Sequence, residues 1–165
     1  LGFRLVATSG TARTLRAAGL DVEDVSKVAE AASDDETVVG LIRGGHVTTA
    51  VLGALQIDRR GRIANWAVPG KPILGVGGAM DLLVGARRVI VATRHVTKTG
   101  AAKLVDECTY PLTGDRPVDL VVTEAATFEV DRDGLVLVEI ADGYSRDWID
   151  ERTGARFREA IKETA

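Results

Sequence analysis

The chain has 165 residues, of which 45% are apolar and 27% charged, and its formal net charge at pH 7 is −3. This composition predicts one soluble globular domain with a packed core, and it is not typical of disordered, collagenous or disulfide-stapled proteins. The apolar stretches around 118–122 and 135–140 are interrupted by acids far short of the roughly 20 residues that span a bilayer. We therefore expect no membrane partner.

Cysteine use and the first residues bear on the compartment. Cys108 is the only cysteine, so the chain offers it no partner for a disulfide or a cysteine metal site. No basic segment followed by an apolar run and a small-residue cleavage site opens the sequence. We expect a cytoplasmic protein in which Cys108 is a small buried hydrophobe rather than a reactive thiol.

Charge is segregated along the chain. Residues 59–103 hold nine Lys or Arg and a single acid, Asp81, whereas residues 106–165 hold fifteen acids and seven bases. The basic segment is the natural place for an anionic ligand, although such a stretch is also the ordinary composition of a solvated face. Aromatic residues make up only 4% and are not interleaved with the bases, so we expect no nucleic-acid partner.

The first elements in chain order are alternately strand-like and helical. An apolar strand is predicted at 3–8 and a helix at 9–18, which Gly19 would stop. A second apolar run follows at 22–28. The acidic stretch 33–36 then predicts a helix start, because carboxylates favour the positive end of the helix dipole.

The middle of the chain predicts a hairpin and then a turn rich in glycine. The β-branched run 47–57 and the turn residues 58–61 indicate a hairpin into 63–66. After Pro69-Gly70-Lys71-Pro72, the segment 73–78 ends where a helix can begin at Ala79. A strand, a glycine turn and a helix in this order are typical of a ligand-cradling turn.

The second half alternates strands with turns and ends in a helix. Strands are predicted at 88–93, 118–123, 127–130 and 135–140, with a hairpin turn at 131–134 and a capped helix at 145–153. The fold class is therefore α/β, a single open sheet with covering helices in which residues 47–140 form one sheet.

The glycine turn carries the clearest chemical signal in the residues themselves. Glycines let backbone N–H groups approach a ligand with no Cβ in the way, and such groups can stabilise a developing oxyanion. Gly75, Gly77 and Gly78 provide that chemistry. A purely structural bend between strand and helix is the competing interpretation.

Several short motifs stand in a fixed order along the chain. They are Arg43-Gly44-Gly45-His46-Val47, Leu52-Gly53-Ala54, Ala64-Asn65-Trp66, Pro69-Gly70-Lys71, Gly75-Val76-Gly77-Gly78-Ala79-Met80-Asp81-Leu82, Cys108-Thr109-Tyr110-Pro111-Leu112-Thr113-Gly114 and Gly134-Leu135-Val136-Leu137-Val138-Glu139-Ile140. This succession resembles the B-type subunit of the 3-oxoacid and 3-oxoadipate coenzyme A transferases over about residues 44–157. The resemblance implies the α/β fold of that subunit and an A-type partner subunit.

The resemblance also implies a chemistry and a set of site residues. In that family a glutamate carboxylate attacks an acyl thioester, so that coenzyme A (CoA) moves between small carboxylic acids through an anhydride and a glutamyl thioester. CoA is a substrate there, and no cofactor is bound permanently. By resemblance, the N–H groups of Gly77 and Gly78 would serve as oxyanion donors, and Lys71, Gly75, Gly77, Gly78 and Asp81 would bind CoA. Asp81 has an alternative role in complementing the helix dipole.

The catalytic glutamate of the family is the point of departure. It lies in a Ser-Glu-Asn-Gly segment upstream of the Arg-Gly-Gly-His stretch, and the only asparagine of this sequence is Asn65. No catalytic residue is therefore identified. Glu124 and Glu139 are the acids nearest to apolar strands, but nothing in their spacing places either one beside the oxyanion donors.

The first 30 residues resemble a different family. Gly2-Phe3-Arg4-Leu5-Val6-Ala7-Thr8-Ser9-Gly10-Thr11-Ala12 and Val25-Ser26-Lys27-Val28 are similar to the methylglyoxal-synthase-like domain at the carboxyl end of carbamoyl phosphate synthase large subunits. That resemblance implies a phosphate site made by Thr8, Ser9, Thr11 and Lys27, with helix capping by Ser9 or Thr11 as the alternative. The chain would then be a fusion of a 1–40 fragment with a 41–165 region, joined in one continuous domain.

The remaining conspicuous residues have structural interpretations. His46 and His95 lack acidic or cysteine neighbours at ligand spacing, so we expect no metal site. Trp66 is expected to anchor the core rather than to stack on a ligand. Three functions stay open: a B-type transferase subunit that needs an A-type partner, a non-catalytic module that binds CoA or another anion, and a structural fragment without a site.

Overall fold

A computed structural model of the chain describes residues 4–25, 38–43, 47–70 and 78–161, and the structural statements below concern these residues. The chain divides into two compact units, Leu1–Val47 and Thr48–Ala165. The helices are α1 (Ser9–Ala17), α2 (Val38–Arg43), α3 (Ala79–Gly85) and α4 (Arg146–Arg152). The strands are β1 (Val6–Thr8), β2 (Glu23–Val25), β3 (Thr49–Leu52), β4 (Gln56–Asp58), β5 (Ile63–Ala64), β6 (Arg88–Ala92), β7 (Leu104–Val105), β8 (Leu120–Val122), β9 (Ala126–Asp131), β10 (Gly134–Ile140) and β11 (Phe157–Glu159).

The first unit contains a β-α-β arrangement. Strands β1 and β2 pair in parallel, with Val6 opposite Glu23, and α1 lies between them in sequence and packs against both. Ala12 is the buried residue of α1, and Gly19, at φ 82°, ends the helical segment as predicted. The predicted helix start at 33–36 lies outside the described residues.

A six-stranded mixed sheet forms the centre of the second unit. Its order is β11-β10-β9-β8-β6-β3, in which β3, β6 and β8 run parallel and β9 is antiparallel to both of its neighbours. Along β6, Val89 and Val91 are buried while Arg88 and Ala92 are exposed, which is the period of two expected for a strand. The mixed α/β class with a central sheet is confirmed.

The expectation that residues 47–140 form one sheet is wrong. Strands β4, β5 and β7 form a separate three-stranded sheet, in the order β5-β4-β7. Strands β4 and β5 pair antiparallel around the turn 58–61, so the predicted hairpin is present. On its other side, β4 pairs in parallel with β7 and not with β3. The break falls at residues 53–55, between β3 and β4. Periodicity locates such strands in the sequence but does not assign them to a sheet.

The two hairpin turns and the last helix follow the sequence closely. Strands β9 and β10 pair antiparallel across the turn that ends at Gly134. Helix α4 is capped by Ser145, whose hydroxyl accepts a hydrogen bond from the Trp148 N–H at 3.1 Å. The sequence interpretation did not predict β7 or β11, each of which has only two or three residues.

Candidate functional site

The glycine turn ends at the start of α3, as predicted. Gly78 is the N-cap of this seven-residue helix, with φ −77° and ψ 4°, and it lies outside any strand. A Cβ at Gly78 would meet no atom of the described chain within 4 Å. Neither the backbone conformation of Gly78 nor its packing against the described residues requires glycine at this position. Lys71, Gly75 and Gly77 lie outside the described residues.

The other end of α3 is fixed by Arg116. Its guanidinium donates to the carbonyl oxygens of Leu83 at 2.6 Å and Ala86 at 2.5 Å. A cation at this place satisfies carbonyls that the helix leaves unpaired and complements the negative end of the helix dipole. Leu83 is fully buried, and Asp81, in the first turn, is half-buried and makes interactions of its own. Helix α3 is thus held in place by hydrogen bonds at its carboxyl end and by a buried side chain.

Polar side chains gather where the parallel strands end. The ammonium of Lys103 donates to the Thr93 hydroxyl at 2.8 Å and to the Ala54 carbonyl oxygen at 3.0 Å. Thr93 directly follows β6, and its hydroxyl donates to the same carbonyl at 3.1 Å. Burial lowers the pKa of Lys103, and the charge of Glu124 opposes that shift. An ammonium has three N–H donors, so one remains for an anionic ligand.

Glu124 lies two residues beyond the end of β8, at the same edge. One carboxylate oxygen accepts the backbone N–H of His95 at 2.9 Å, and the other lies 3.6 Å from Nε of Arg94. A carboxylate engaged in this way serves to position the loop after β6. Glu139, on β10, is exposed and accepts a hydrogen bond from the Thr127 hydroxyl at 3.3 Å.

His95 is completely buried behind this edge. Its Nδ1 lies 3.1 Å from the Thr123 hydroxyl and its Nε2 lies 2.9 Å from the Thr153 hydroxyl. The Trp148 ring meets the imidazole edge-on, with the centroids 5.3 Å apart. Burial lowers the pKa of His95, with a smaller opposing effect from Glu124. Both ring nitrogens are occupied, so the residue braces the core and has no free nitrogen for a ligand.

The proposed phosphate residues of the first unit are only partly described. Ser9 and Thr11 are exposed in the first turn of α1, and Thr8 is the last residue of β1. Lys27 lies outside the described residues, as does His46. Within the described ranges, no group of three or more His, Cys, Asp or Glu side chains is placed to hold a metal ion.

Two further expectations concern half-buried side chains. The Cys108 thiol lies 3.8 Å from the Arg62 carbonyl oxygen, and burial is the main reason why its pKa is raised to about 11. Trp66 is also half-buried, and its indole N–H donates to the Leu112 carbonyl at 3.1 Å. Cys108 is thus poorly suited to be a nucleophile, but both Cys108 and Trp66 are half-buried and neither belongs to the fully buried core.

The sequence interpretation missed the cluster of Thr93 and Lys103. In the sequence, Lys103 is only one base of a basic segment and Thr93 only the end of a strand. The signal was available in part, because carboxyl ends of parallel strands meet at one edge and commonly form the ligand site of α/β proteins. What the sequence did not show is that β3, β6 and β8 are the adjacent parallel strands.

Comparison with known proteins is consistent across sequence and structure. The family model described as Coenzyme A transferase matches residues 1–151. Over 127 residues the chain is 46% identical to the beta subunit of the acetate CoA-transferase of Escherichia coli K12, an alignment covering 77% of this chain and 59% of that protein. Over 129 residues it is 49% identical to succinyl-CoA:3-ketoacid coenzyme A transferase 2A of Rattus norvegicus, covering 77% of this chain and 24% of the relative. The chain thus spans less than two thirds of the length of these curated relatives.

The fold has counterparts among solved structures. An apo acyl-CoA transferase from Escherichia coli O157:H7 superposes with a TM-score of 0.70 at 20% identity, over 96% of this chain and 40% of that one, which supports the fold alone. No helix within the described ranges has the length and apolar character needed to cross a membrane. The match over residues 1–151 establishes that the chain belongs to the coenzyme A transferase family, within which it is similar to the B-type subunits.

Proposed function

We propose that the chain is the B-type part of a 3-oxoacid coenzyme A transferase, which acts with an A-type subunit and moves CoA between small carboxylic acids. The observation that carries the proposal is the position of Gly78 at the N-cap of α3, in a chain whose family match runs over residues 1–151. The name of one relative, a beta subunit, specifies acetate, and the name of another specifies succinyl-CoA and a 3-ketoacid. These names support the substrate class.

The geometry of α3 favours this role for Gly78. Only Ala86 and Arg87 separate α3 from β6, so the carboxyl end of the helix lies at the amino edge of the sheet. Helices that cover parallel strands run antiparallel to them, and α3 packs against β3. We infer that the Gly78 end is directed toward the edge that carries Thr93 and Lys103.

The site residues would have two tasks, which are to stabilise an oxyanion and to bind the anionic groups of CoA. The N–H groups of Gly77 and Gly78 would donate to the oxyanion that forms when a carboxylate attacks the acyl thioester. The cations Lys71 and Lys103 would hold the negative groups of CoA, with Gly75 and Asp81 lining the same turn. CoA enters as a substrate, and the family chemistry needs no permanent cofactor. The half-buried single cysteine suits a protein of the reducing cytoplasm.

The nucleophile is not supplied by the acids that the sequence singled out. Glu124 is committed to the His95 N–H and to Arg94, and Glu139 is exposed on β10. The sequence holds no Ser-Glu-Asn-Gly segment. We therefore propose that residues 1–165 bind CoA but do not transfer it, and that transfer needs a positioned glutamate from such a segment.

A trapping experiment tests the assignment. The chain is mixed with an A-type subunit and succinyl-CoA, treated with borohydride to reduce any glutamyl thioester, and analysed by peptide mass spectrometry. We expect complex formation with the A-type partner and no trapped glutamate. Trapping at Glu124 or Glu139, abolished by the matching Gln variant, would contradict the proposal, and so would failure to bind the A-type partner.

A non-catalytic module is the second candidate. The pairing of Lys103 with Thr93 supports anion binding whether or not a nucleophile is present. In this alternative the methylglyoxal-synthase-like fragment 1–40, with Thr8, Ser9, Thr11 and Lys27, supplies a second phosphate site fused to the 41–165 region. The family match that begins at residue 1 supports the transferase assignment more strongly. Phosphate binding that is lost in a Lys27→Gln variant would favour the module.

A further inference from the structure

A basic cleft lies between the two hairpin turns of the second unit. One turn joins β4 to β5 and the other joins β9 to β10. The cleft has a volume of about 570 Å³ and is lined by four arginines and two aspartates, Arg59, Arg60, Arg132, Arg156, Asp131 and Asp133. In the antiparallel ladder, Leu120 at the start of β8 faces Glu129, close to the second turn. The cleft therefore lies at the amino ends of the parallel strands, and Thr93 and Lys103 lie at their carboxyl ends.

The first turn is held rigid by a buried carboxylate. Asp58 is 1% exposed and accepts the backbone N–H groups of Arg60 at 2.9 Å and Arg62 at 3.0 Å. The guanidinium of Arg62 also donates to it at 2.8 Å. Charge-assisted hydrogen bonds of this kind are the strong ones, so the backbone that presents Arg60 is fixed before any ligand arrives.

Two glycines allow the hairpins to pack closely against each other. A Cβ on Gly61, at φ 78°, would come within 2.6 Å of Cγ1 of Val130, and a Cβ on Gly134, at φ 111°, would collide with the Arg59 carbonyl oxygen. That carbonyl accepts the Leu135 N–H at 3.2 Å. The cleft walls are therefore preorganised, which reduces the ordering cost of binding.

Some charged side chains of the cleft form ion pairs and others do not. Asp131 pairs with Arg158, at 2.5 Å, and Arg132 lies 3.7 Å from Asp133. Among the described residues, no hydrogen bond or ion pair engages the guanidinium groups of Arg60 or Arg156. Two exposed guanidinium groups thus face one cleft without carboxylate partners, on a lining whose formal charge is positive.

We propose that this cleft binds a small molecule carrying two linked phosphate groups. The N–H groups of each planar guanidinium can donate to two phosphate oxygens at once. A diphosphate carries enough negative charge to neutralise more than one arginine, whereas a monocarboxylate carries only one charge. The volume lies within the range of about 300–1,000 Å³ typical of small-molecule sites. The site is separate from the carboxyl edge of the parallel strands and does not depend on transfer activity.

Calorimetric titration of the whole chain with inorganic pyrophosphate at low salt tests the proposal. We expect saturable binding that is at least about tenfold weaker in the Arg60→Gln/Arg156→Gln double variant, because two charge-assisted contacts are lost. Lys98→Gln removes one charge from an exposed turn after β6, outside the cleft, and should leave the affinity unchanged. Circular dichroism checks that the double variant folds.

Titrations with ADP and with CoA then distinguish the two sources of a diphosphate. Loss of ADP binding with retention of CoA binding in the double variant would support a diphosphate site separate from the CoA site, whereas loss of both would contradict that separation. The proposal is overturned if pyrophosphate does not saturate the wild-type chain at millimolar concentration. It is equally overturned if Lys98→Gln weakens binding as much as the double variant does.

Discussion

Gly134 and Arg59, which lie in different hairpin turns, approach so closely that a Cβ on the glycine would collide with the Arg59 carbonyl oxygen. The same carbonyl accepts the N–H of Leu135 at 3.2 Å, so the two turns share a hydrogen bond as well as a steric contact. Gly134 has φ 111°, a conformation that residues with a Cβ rarely adopt. This contact joins the small sheet to the central sheet of the second unit.

Replacement of Gly134 by Ala should therefore be costly. The variant combines backbone strain with a clash against a carbonyl that cannot move freely, and we expect a loss of about 3 kcal/mol in the free energy of unfolding. Urea denaturation measures it. Gly53→Ala is the control, because a Cβ there meets nothing within 4 Å and should change the free energy by less than about 1 kcal/mol. Equal losses in the two variants would contradict the steric explanation.

The buried His95 predicts a pH dependence of stability. Burial lowers its pKa in the folded state, so between that pKa and the unfolded value of about 6.5 the unfolded chain binds more protons. The stability contributed by the neutral imidazole is complete above about pH 6.5 and is lost as the pH falls toward the folded pKa. We expect the free energy of unfolding to decrease over this window by up to about 1.4 kcal/mol per pH unit.

Two measurements isolate His95 from the rest of the chain. The slope below pH 6.5 should be reduced in His95→Gln and retained in His46→Gln, which replaces the other histidine. A titration of the wild-type imidazole by NMR should also give a folded-state pKa below 6.5. An unchanged slope in His95→Gln, or an imidazole that titrates above 6.5, would show that burial does not control this residue.

Cys108 should react slowly with thiol reagents. A thiol with a pKa of about 11 is only about 0.1% thiolate at pH 8, against roughly a quarter for a free cysteine. Alkylation by iodoacetamide should therefore be about two orders of magnitude slower than that of glutathione in native buffer. It should approach the free-thiol rate in urea. A native rate close to that of glutathione would contradict the buried environment of Cys108.

Local features of the fold were predictable because they depend on neighbouring residues. The cap of α4 at Ser145, the helix start after Gly78 and the turn that ends at Gly134 all follow from residue types with strong conformational preferences. The division of the strands between two sheets was not predictable in this way. Pairing of β4 with β7 depends on contacts between residues about 47 positions apart, such as Ile57 and Leu104, and periodicity carries no information about them.

The candidate site shows the same division. The glycine turn is recognisable from its composition and from its place in a family motif. The grouping of Thr93 and Lys103 with the Ala54 carbonyl depends on the order of the parallel strands. The cleft depends on the meeting of two hairpin turns with Arg156, which lies just before β11. Both clusters join side chains from separate elements, and a single sequence does not indicate which elements meet.

The most direct test of the proposed function is a calorimetric titration of the purified chain with CoA, performed on the wild type and on Gly78→Val. We predict saturable binding by the wild type. We expect weaker binding by Gly78→Val with little change in melting temperature, because a side chain at Gly78 meets no atom of the described chain but would stand where a ligand approaches the turn. Absence of saturable CoA binding by the wild type would contradict the account. Equal losses of affinity and stability in Gly78→Val would show that the glycine is only structural.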